Sequence, residues 1–308
     1  MMDTSVVELK NPLGYSLVTT TDFFFPLVED PYLMGRIACA NVLSDMYAEG
    51  VVQCDNMLMI LAASLEIPAD YRDIIVWKMI EGFRSLAEEA GSAVTGGQSV
   101  YNPWPIIGGV AQAVVPSGEV QMPVNAEIGD AILLTKPLGT QVAVNTFQWI
   151  EQSSMWEKVE QVITVEHAKW AYDIAALSME RLNKTASSLM KKHQAHAATD
   201  VTGFGIIGHA QNLAGNQRHN VSFKIESLPV IKGLDQVDKA VGGTFKLLAG
   251  KSAETSGGLL ICLRPDNIKS FCDELMAVDG WPAFRVGTVV SGNRTAFLSD
   301  NLVVEQVE

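Results

Sequence analysis

Residues 16–50 read SLVTTTDFFFPLVEDPYLMGRIACANVLSDMYAEG. Ser16 to Phe25 is rich in β-branched and aromatic residues, which predicts a strand carrying Asp22 at or near its end. Asp30-Pro31 then predicts a helix start, with Asp30 as N-cap and Pro31 in the first helical position. Met34, Ile37, Ala38 and Val42 carry that helix to about Glu49, and Gly50 suits its stop. Asn41 and Asp45 lie one turn apart, so two polar groups share a face of a largely apolar helix. A buried carboxylate without a partner is costly, so Asp45 calls for a cation, a hydrogen-bond network or solvent.

Outward from this segment, strand and helix patterns alternate. Asn56 to Ala63 reads as a buried strand, and Asp70 to Ala90 as an amphipathic helix ended by Gly91. Ser92 to Val94 starts a short strand that breaks at Thr95-Gly96-Gly97-Gln98, and Ile106 to Val115 is another strand. Around Pro123 to Asp130 the pattern resets, which divides the chain into domains of residues 1–125 and 126–308. In the second, Ala131 to Thr135 is a strand leading to Lys136-Pro137-Leu138-Gly139, and about Ser154 to His193 is mostly helical, as two helices. His196 to Asp200 is a strand running into Val201-Thr202-Gly203-Phe204-Gly205, followed by a helix from Ile206 to Ala214. Strands at 257–263 and 283–290 flank a helix at 265–277. Two α+β domains result.

The chain has 308 residues, of which 48% are hydrophobic, enough for one large or two ordinary cores. Its formal net charge of −13 opposes phosphate backbones and anionic lipid, so nucleic-acid and membrane partners are not expected. An acidic protein still binds an anionic substrate when a divalent cation bridges the two. Cys39, Cys54, Cys262 and Cys272 form no CxxC pair and read as reduced thiols of a cytoplasmic protein. No basic stretch followed by an apolar one marks a signal peptide.

Asp22, Asp45 and Asp200 occupy unusual positions, although each alone also suits a cap or a turn. Asp200 is followed by a Gly-x-Gly turn and a helix start, which sets backbone N–H groups and a helix N-terminus beside an acidic side chain. That suits a phosphate bridged to Mg²⁺. Gly96-Gly97-Gln98-Ser99 is a second glycine site where backbone can approach a ligand closely, though alone it reads as a tight turn. It is not a Walker A loop, and Gly203-x-Gly205-x-x-Gly208 has no acidic residue suitably placed for a dinucleotide fingerprint. The chemistry points to a Mg²⁺-nucleotide site of a non-standard kind.

TTDFFFPLVEDPYLMGRIACANVLSDMYAEGV, CDNMLMIL, VTGGQSVYNPWPIIGG, LTKPLGTQVAV, HAATDVTGFGIIGHAQNLA and ETSGGLLICL together resemble selenophosphate synthetases (selenide, water dikinases) of the eukaryotic type, over nearly the whole chain and in order. The resemblance implies a two-domain aminoimidazole-ribonucleotide-synthetase-like fold. Its N-terminal domain forms a β-barrel across a homodimer, and its C-terminal domain is an α/β sandwich. It implies ATP and Mg²⁺ as ligands, with Asp3, Asp45 and Asp200 on Mg²⁺. Asp3, Asp22, Asp45, Gly96, Gly97, Gln98 and Ser99 serve the nucleotide. The implied reaction takes ATP, selenide and water to selenophosphate, AMP and orthophosphate.

In that family a Gly-rich segment with a Cys or selenocysteine and a nearby Lys precedes the Met-Asp-Thr motif. This sequence starts at Met1-Met2-Asp3, so those positions lie upstream of Met1 and no catalytic residue is assigned within it. The chain as given is therefore expected to be inactive or nearly so in selenophosphate synthesis. It would be a deliberately shortened chain, a proteolytic core or a short natural isoform. Lys10 and Lys136 are the nearest basic residues by position, and neither is assigned the role. Competing readings are another ligase or kinase of the same superfamily, and a non-catalytic paralogue that binds nucleotide and acts as a regulator.

Overall fold

The structure is a computed structural model that describes residues 3–308. The chain forms two compact units. One contains the residues up to Gln121 together with Glu180–Ser188, and the other contains Met122–Met179 and Leu189–Glu308.

The first unit starts with β1 (Ser5–Glu8), β2 (Tyr15–Phe24), α1 (Pro31–Ala48), β3 (Asn56–Ser64), α2 (Ala69–Glu89), β4 (Val94–Asn102) and β5 (Ile106–Pro116). The strands form one sheet in the order β1-β2-β5-β3-β4, antiparallel except for the β3–β4 pair. Asp30 caps α1 as its sequence predicts, with its carboxylate accepting the N–H groups of Tyr32 (2.8 Å) and Leu33 (3.1 Å). One sheet face, including Val18, Met57, Leu61, Ile107 and Ala111, is buried. α1 is buried nearly all round because it packs on β2 and β5 and also on α2. The two helices approach closely at two glycines: a Cβ on Gly35 would stand 2.1 Å from the Met79 carbonyl oxygen, and one on Gly82 1.9 Å from the Tyr32 carbonyl oxygen. The opposite sheet face is different. Val7, Phe23, Val100 and Val114 are exposed there, with Leu17, Leu58, Ile60 and Val110 half-buried between them.

The chain continues through β6 (Ala131–Leu134), α3 (Thr140–Trp149), α4 (Ser153–Trp156), α5 (Val165–Glu180), α6 (Lys184–Lys192), β7 (Ala197–Asp200), α7 (Gly205–Gly215) and β8 (Val221–Ile231). It ends with α8 (Leu234–Ala240), β9 (Leu259–Leu263), α9 (Ile268–Asp279), β10 (Phe284–Ser291) and β11 (Ala296–Val307). The second unit's sheet has the order β11-β8-β10-β6-β9-β7. β6, β7 and β9 are short and buried at every position, which is why β6 and β9 read as unbroken apolar runs rather than alternating ones. No helix among the described residues is long and apolar enough to cross a membrane.

The sequence reading needs correction at several elements. The helical stretch from about 154 to 193 is three separate helices, and α3 precedes them. β8 and β11 were not foreseen. β8 mixes Lys224, Glu226 and Pro229 into its run, and β11 holds Asp300-Asn301 where its register shifts. Both features blur the period-two signal.

Candidate nucleotide and metal site

In the first unit, α1 and β2 bring two of the predicted aspartates together. Thr20 and Asp22 stand two residues apart, so their side chains point to the same sheet face, the one α1 covers. Asn41 and Asp45 stand one turn apart on α1. The Asn41 amide donates to Asp22 Oδ2 at 2.9 Å, and the Thr20 hydroxyl donates to Asp45 Oδ2. Two carboxylates are thus fixed by neutral donors, each half-buried. An amide and a hydroxyl orient a carboxylate without cancelling its charge, which leaves it suited to a cation.

One turn further along α1 is Glu49, which the sequence reading did not single out. It is fully buried, and its carboxylate accepts the Thr4 N–H (3.1 Å), the Thr4 hydroxyl and the Asp3 N–H. Burial pushes this acid up, and the Thr4 and Asp3 donors pull it only partly back. A glutamate beside Gly50 at a helix end looks like a solvated residue in sequence, so no local signal marks it. Glu49 ties Asp3 to the end of the helix that carries Asp45, and Ser5 pairs with Thr19 directly after. Asp3, Asp22 and Asp45 therefore belong to three adjoining elements of one unit.

Gly96, Gly97, Gln98 and Ser99 do not form the expected break. They lie inside β4, a continuous strand pairing Leu58↔Gly96 through Leu61↔Ser99 at the edge of the sheet. All four are exposed. Gly97 has φ +143, and a Cβ there would stand 1.9 Å from the Met59 carbonyl oxygen. Gly97 therefore serves close approach to β3 rather than a turn, and the segment lies at the outer edge of the sheet.

In the second unit Asp200 ends β7 and is 2% exposed. The Gly-x-Gly turn after it does begin a helix. However, the N–H groups of Thr202 (3.0 Å) and Phe204 (3.4 Å) are directed at His209 Nε2 rather than outward. A ring nitrogen that accepts backbone N–H groups is unprotonated. Consistent with that, burial holds His209 below its usual range against the opposing pull of Asp200. The expectation that these N–H groups await a phosphate is corrected: the protein's own imidazole takes two of them. Lys136 is also occupied, being 1% exposed with its ammonium 2.7 Å from the Ser256 carbonyl oxygen. His193 meets Glu274 (3.3 Å) and His196 meets Asp130 (2.8 Å).

Among the described residues no group of three or more His, Cys, Asp or Glu side chains is gathered as a ready-made metal cage. Asp22 and Asp45 themselves offer carboxylate oxygens, the donor type that fits a hard ion such as Mg²⁺.

Residues 2–115 match the AIR synthase related protein N-terminal domain, and residues 127–299 match the C-terminal domain of the same family. Selenide, water dikinase 2 of Homo sapiens is 54% identical over 309 residues, covering 99% of this chain and 68% of that protein. The selenide, water dikinase of Dictyostelium discoideum is 47% identical over 313 residues, covering 99% of this chain and 86% of that protein. Among solved structures, AaThiL complexed with AMPPCP and TMP has a TM-score of 0.68 at 20% identity, covering 100% of this chain and 89% of that one. At that identity the likeness establishes the fold alone. Both AIR synthase related domains are present in order, with relatives of this identity along nearly the whole chain, so the chain belongs to the selenide, water dikinase family of phosphotransferases.

Proposed function

We propose that this chain is the nucleotide-binding body of an enzyme that converts ATP, selenide and water into selenophosphate, AMP and orthophosphate. The observation that carries the reading is the ladder in which Thr20 and Asn41 hold Asp45 and Asp22 from neighbouring elements. The selenide, water dikinases it resembles carry that activity in their name, and AaThiL, which shares the fold, was solved with AMPPCP. Asp3, Asp45 and Asp200 hold Mg²⁺, while Asp22 and the β4 edge at Gly96, Gly97, Gln98 and Ser99 hold the nucleotide. Bound Mg²⁺ would neutralise phosphate charge and orient leaving groups for two phosphoryl cleavages. The chain's own residues fix where the carboxylates stand, with Thr20 and Asn41 orienting them and Glu49 holding the strand that follows Asp3. The protein acts in the cytoplasm as a homodimer. The apolar sheet face bearing Val7, Phe23, Val100 and Val114 is the surface a second copy would cover.

Calorimetry with AMPPCP, with and without Mg²⁺, tests the binding. Affinity that depends on Mg²⁺ is expected, and equal affinity without the ion overturns the metal assignment. Phosphorus NMR on the full-length gene product tests the reaction. Selenide-dependent appearance of AMP and a selenophosphate resonance is expected, and ATP turnover indifferent to selenide overturns it.

A further inference from the structure

Glu254 is a second buried carboxylate that the proposed chemistry does not use. It is 4% exposed, and its side chain accepts the N–H groups of Gly139 and Thr140, each at 2.8 Å, as well as the Thr140 hydroxyl. Those N–H groups open α3, whose N-cap residue Gly139 has no side chain to satisfy them. Glu254 therefore supplies the cap from 115 positions along the chain, with its charge at the positive end of the helix. The Thr140 hydroxyl in turn accepts the Thr255 N–H at 3.2 Å.

The same short segment also grips the chain after Asp200. The Glu254 N–H donates to the Thr202 carbonyl oxygen, and the Val201 N–H donates to the Gly258 carbonyl oxygen, both at 3.0 Å. Thr135, at the other end of the Lys136-Pro137-Leu138-Gly139 turn, accepts the Leu259 N–H at 2.9 Å. Residues 254–259 are thus bonded on one side to the turn entering α3 and on the other to the turn leaving β7. A neutral cap would satisfy α3 without the cost of burying a charge. A carboxylate with three donors fixes the geometry more stiffly.

We infer that Glu254 is a positioning residue for Asp200: its carboxylate locks the α3 entry turn, and residues 254–258 carry that lock to the point where β7 presents the aspartate. This rests on the reading of Asp200 as a Mg²⁺ ligand. The test is a double-mutant cycle of Asp200→Asn and Glu254→Gln, read as AMPPCP affinity across a Mg²⁺ titration, with melting temperatures alongside. Each single variant is expected to weaken Mg²⁺-dependent binding about 10-fold, the usual effect of removing a group that orients a metal ligand. The double variant should be no weaker than Asp200→Asn alone, because Glu254 acts only through Asp200. A merely structural Glu254 would lower the melting temperature in both backgrounds and leave the folded protein's affinity unchanged, which overturns the inference. Losses that multiply in the double variant overturn it too. If Glu254→Gln does not fold, Thr140→Val, which removes one donor to the same carboxylate, enters the cycle under the same criteria. Unchanged affinity in Asp200→Asn would instead overturn the metal reading of Asp200 itself, so the two failures are told apart.

Discussion

Asp22 and Asp45 of the first unit and Glu254 of the second are housed in opposite ways. Asp22 and Asp45 meet one amide and one hydroxyl and remain half-buried. Glu254 is fully buried and takes two backbone N–H groups and a hydroxyl at a helix start. Residue type alone separates none of these acids. The difference lies in the kind of donor that meets them. A carboxyl held by helix-start donors is part of the framework, whereas a carboxylate oriented by a side-chain amide or hydroxyl is suited to a cation. Glu49 belongs with Glu254, since its oxygens meet Thr4 and the Asp3 N–H rather than anything outside the fold.

Several measurements can break this contrast or sharpen it. The largest effect is expected from Glu254→Ala, which leaves the Gly139 and Thr140 N–H groups buried without partners. Urea unfolding should show a loss of about 4 kcal/mol, roughly 2 for each buried donor left unmet. The next is a pH effect. Burial pushes Glu254 up to about 7, so the folded state holds a proton that the unfolded state has released. The stability this confers is complete below the unfolded value near 4.5 and is lost as pH rises through about 7. Relative to Glu254→Gln, the wild type should lose about 3 kcal/mol across that window. Equal slopes for the two proteins would place the Glu254 carboxyl among ordinary solvated acids. Asp45→Asn should do the reverse, lowering Mg²⁺–AMPPCP affinity about 10-fold by calorimetry while the melting temperature barely moves. A large drop in melting temperature with intact binding would move Asp45 into the framework class. The smallest effect is expected from Thr20→Val, which removes the donor to Asp45 without changing shape. Affinity should fall about fivefold, the size of one hydrogen bond of ~1 kcal/mol.

Much of the first unit could be read from local pattern. Asp30-Pro31 announced α1, β-branched residues announced β2, and the one-turn spacing of Asn41 and Asp45 already implied a polar stripe that needed partners. Those signals are short-range, so the sequence carries them intact. The partners themselves could not be read. That Asn41 reaches Asp22, that His209 turns back on Thr202 and Phe204, and that Glu254 caps α3 all depend on which elements become neighbours. Gly96 and Gly97 misled for a related reason. Two adjacent glycines look like a turn, yet here Gly97 lets β4 lie against the β3 backbone. The family resemblance pointed to Asp3, where local pattern gives only a short acidic motif, whereas Asp200 was already marked by the Gly-x-Gly turn and helix start that follow it.

The bond from Glu49 to Thr4 has a practical consequence. Because Thr4 is moored to the end of α1, the chain at Asp3 is held beside the helix that carries Asp45. A polyhistidine purification handle placed there would bring its own metal-binding imidazoles within a few residues' reach, about 3.5 Å each, of the carboxylate ladder. Divalent-ion titrations on such a fusion would mix two sets of ligands. A handle placed after Glu308, or cleaved away before measurement, keeps the readings attributable to the aspartates.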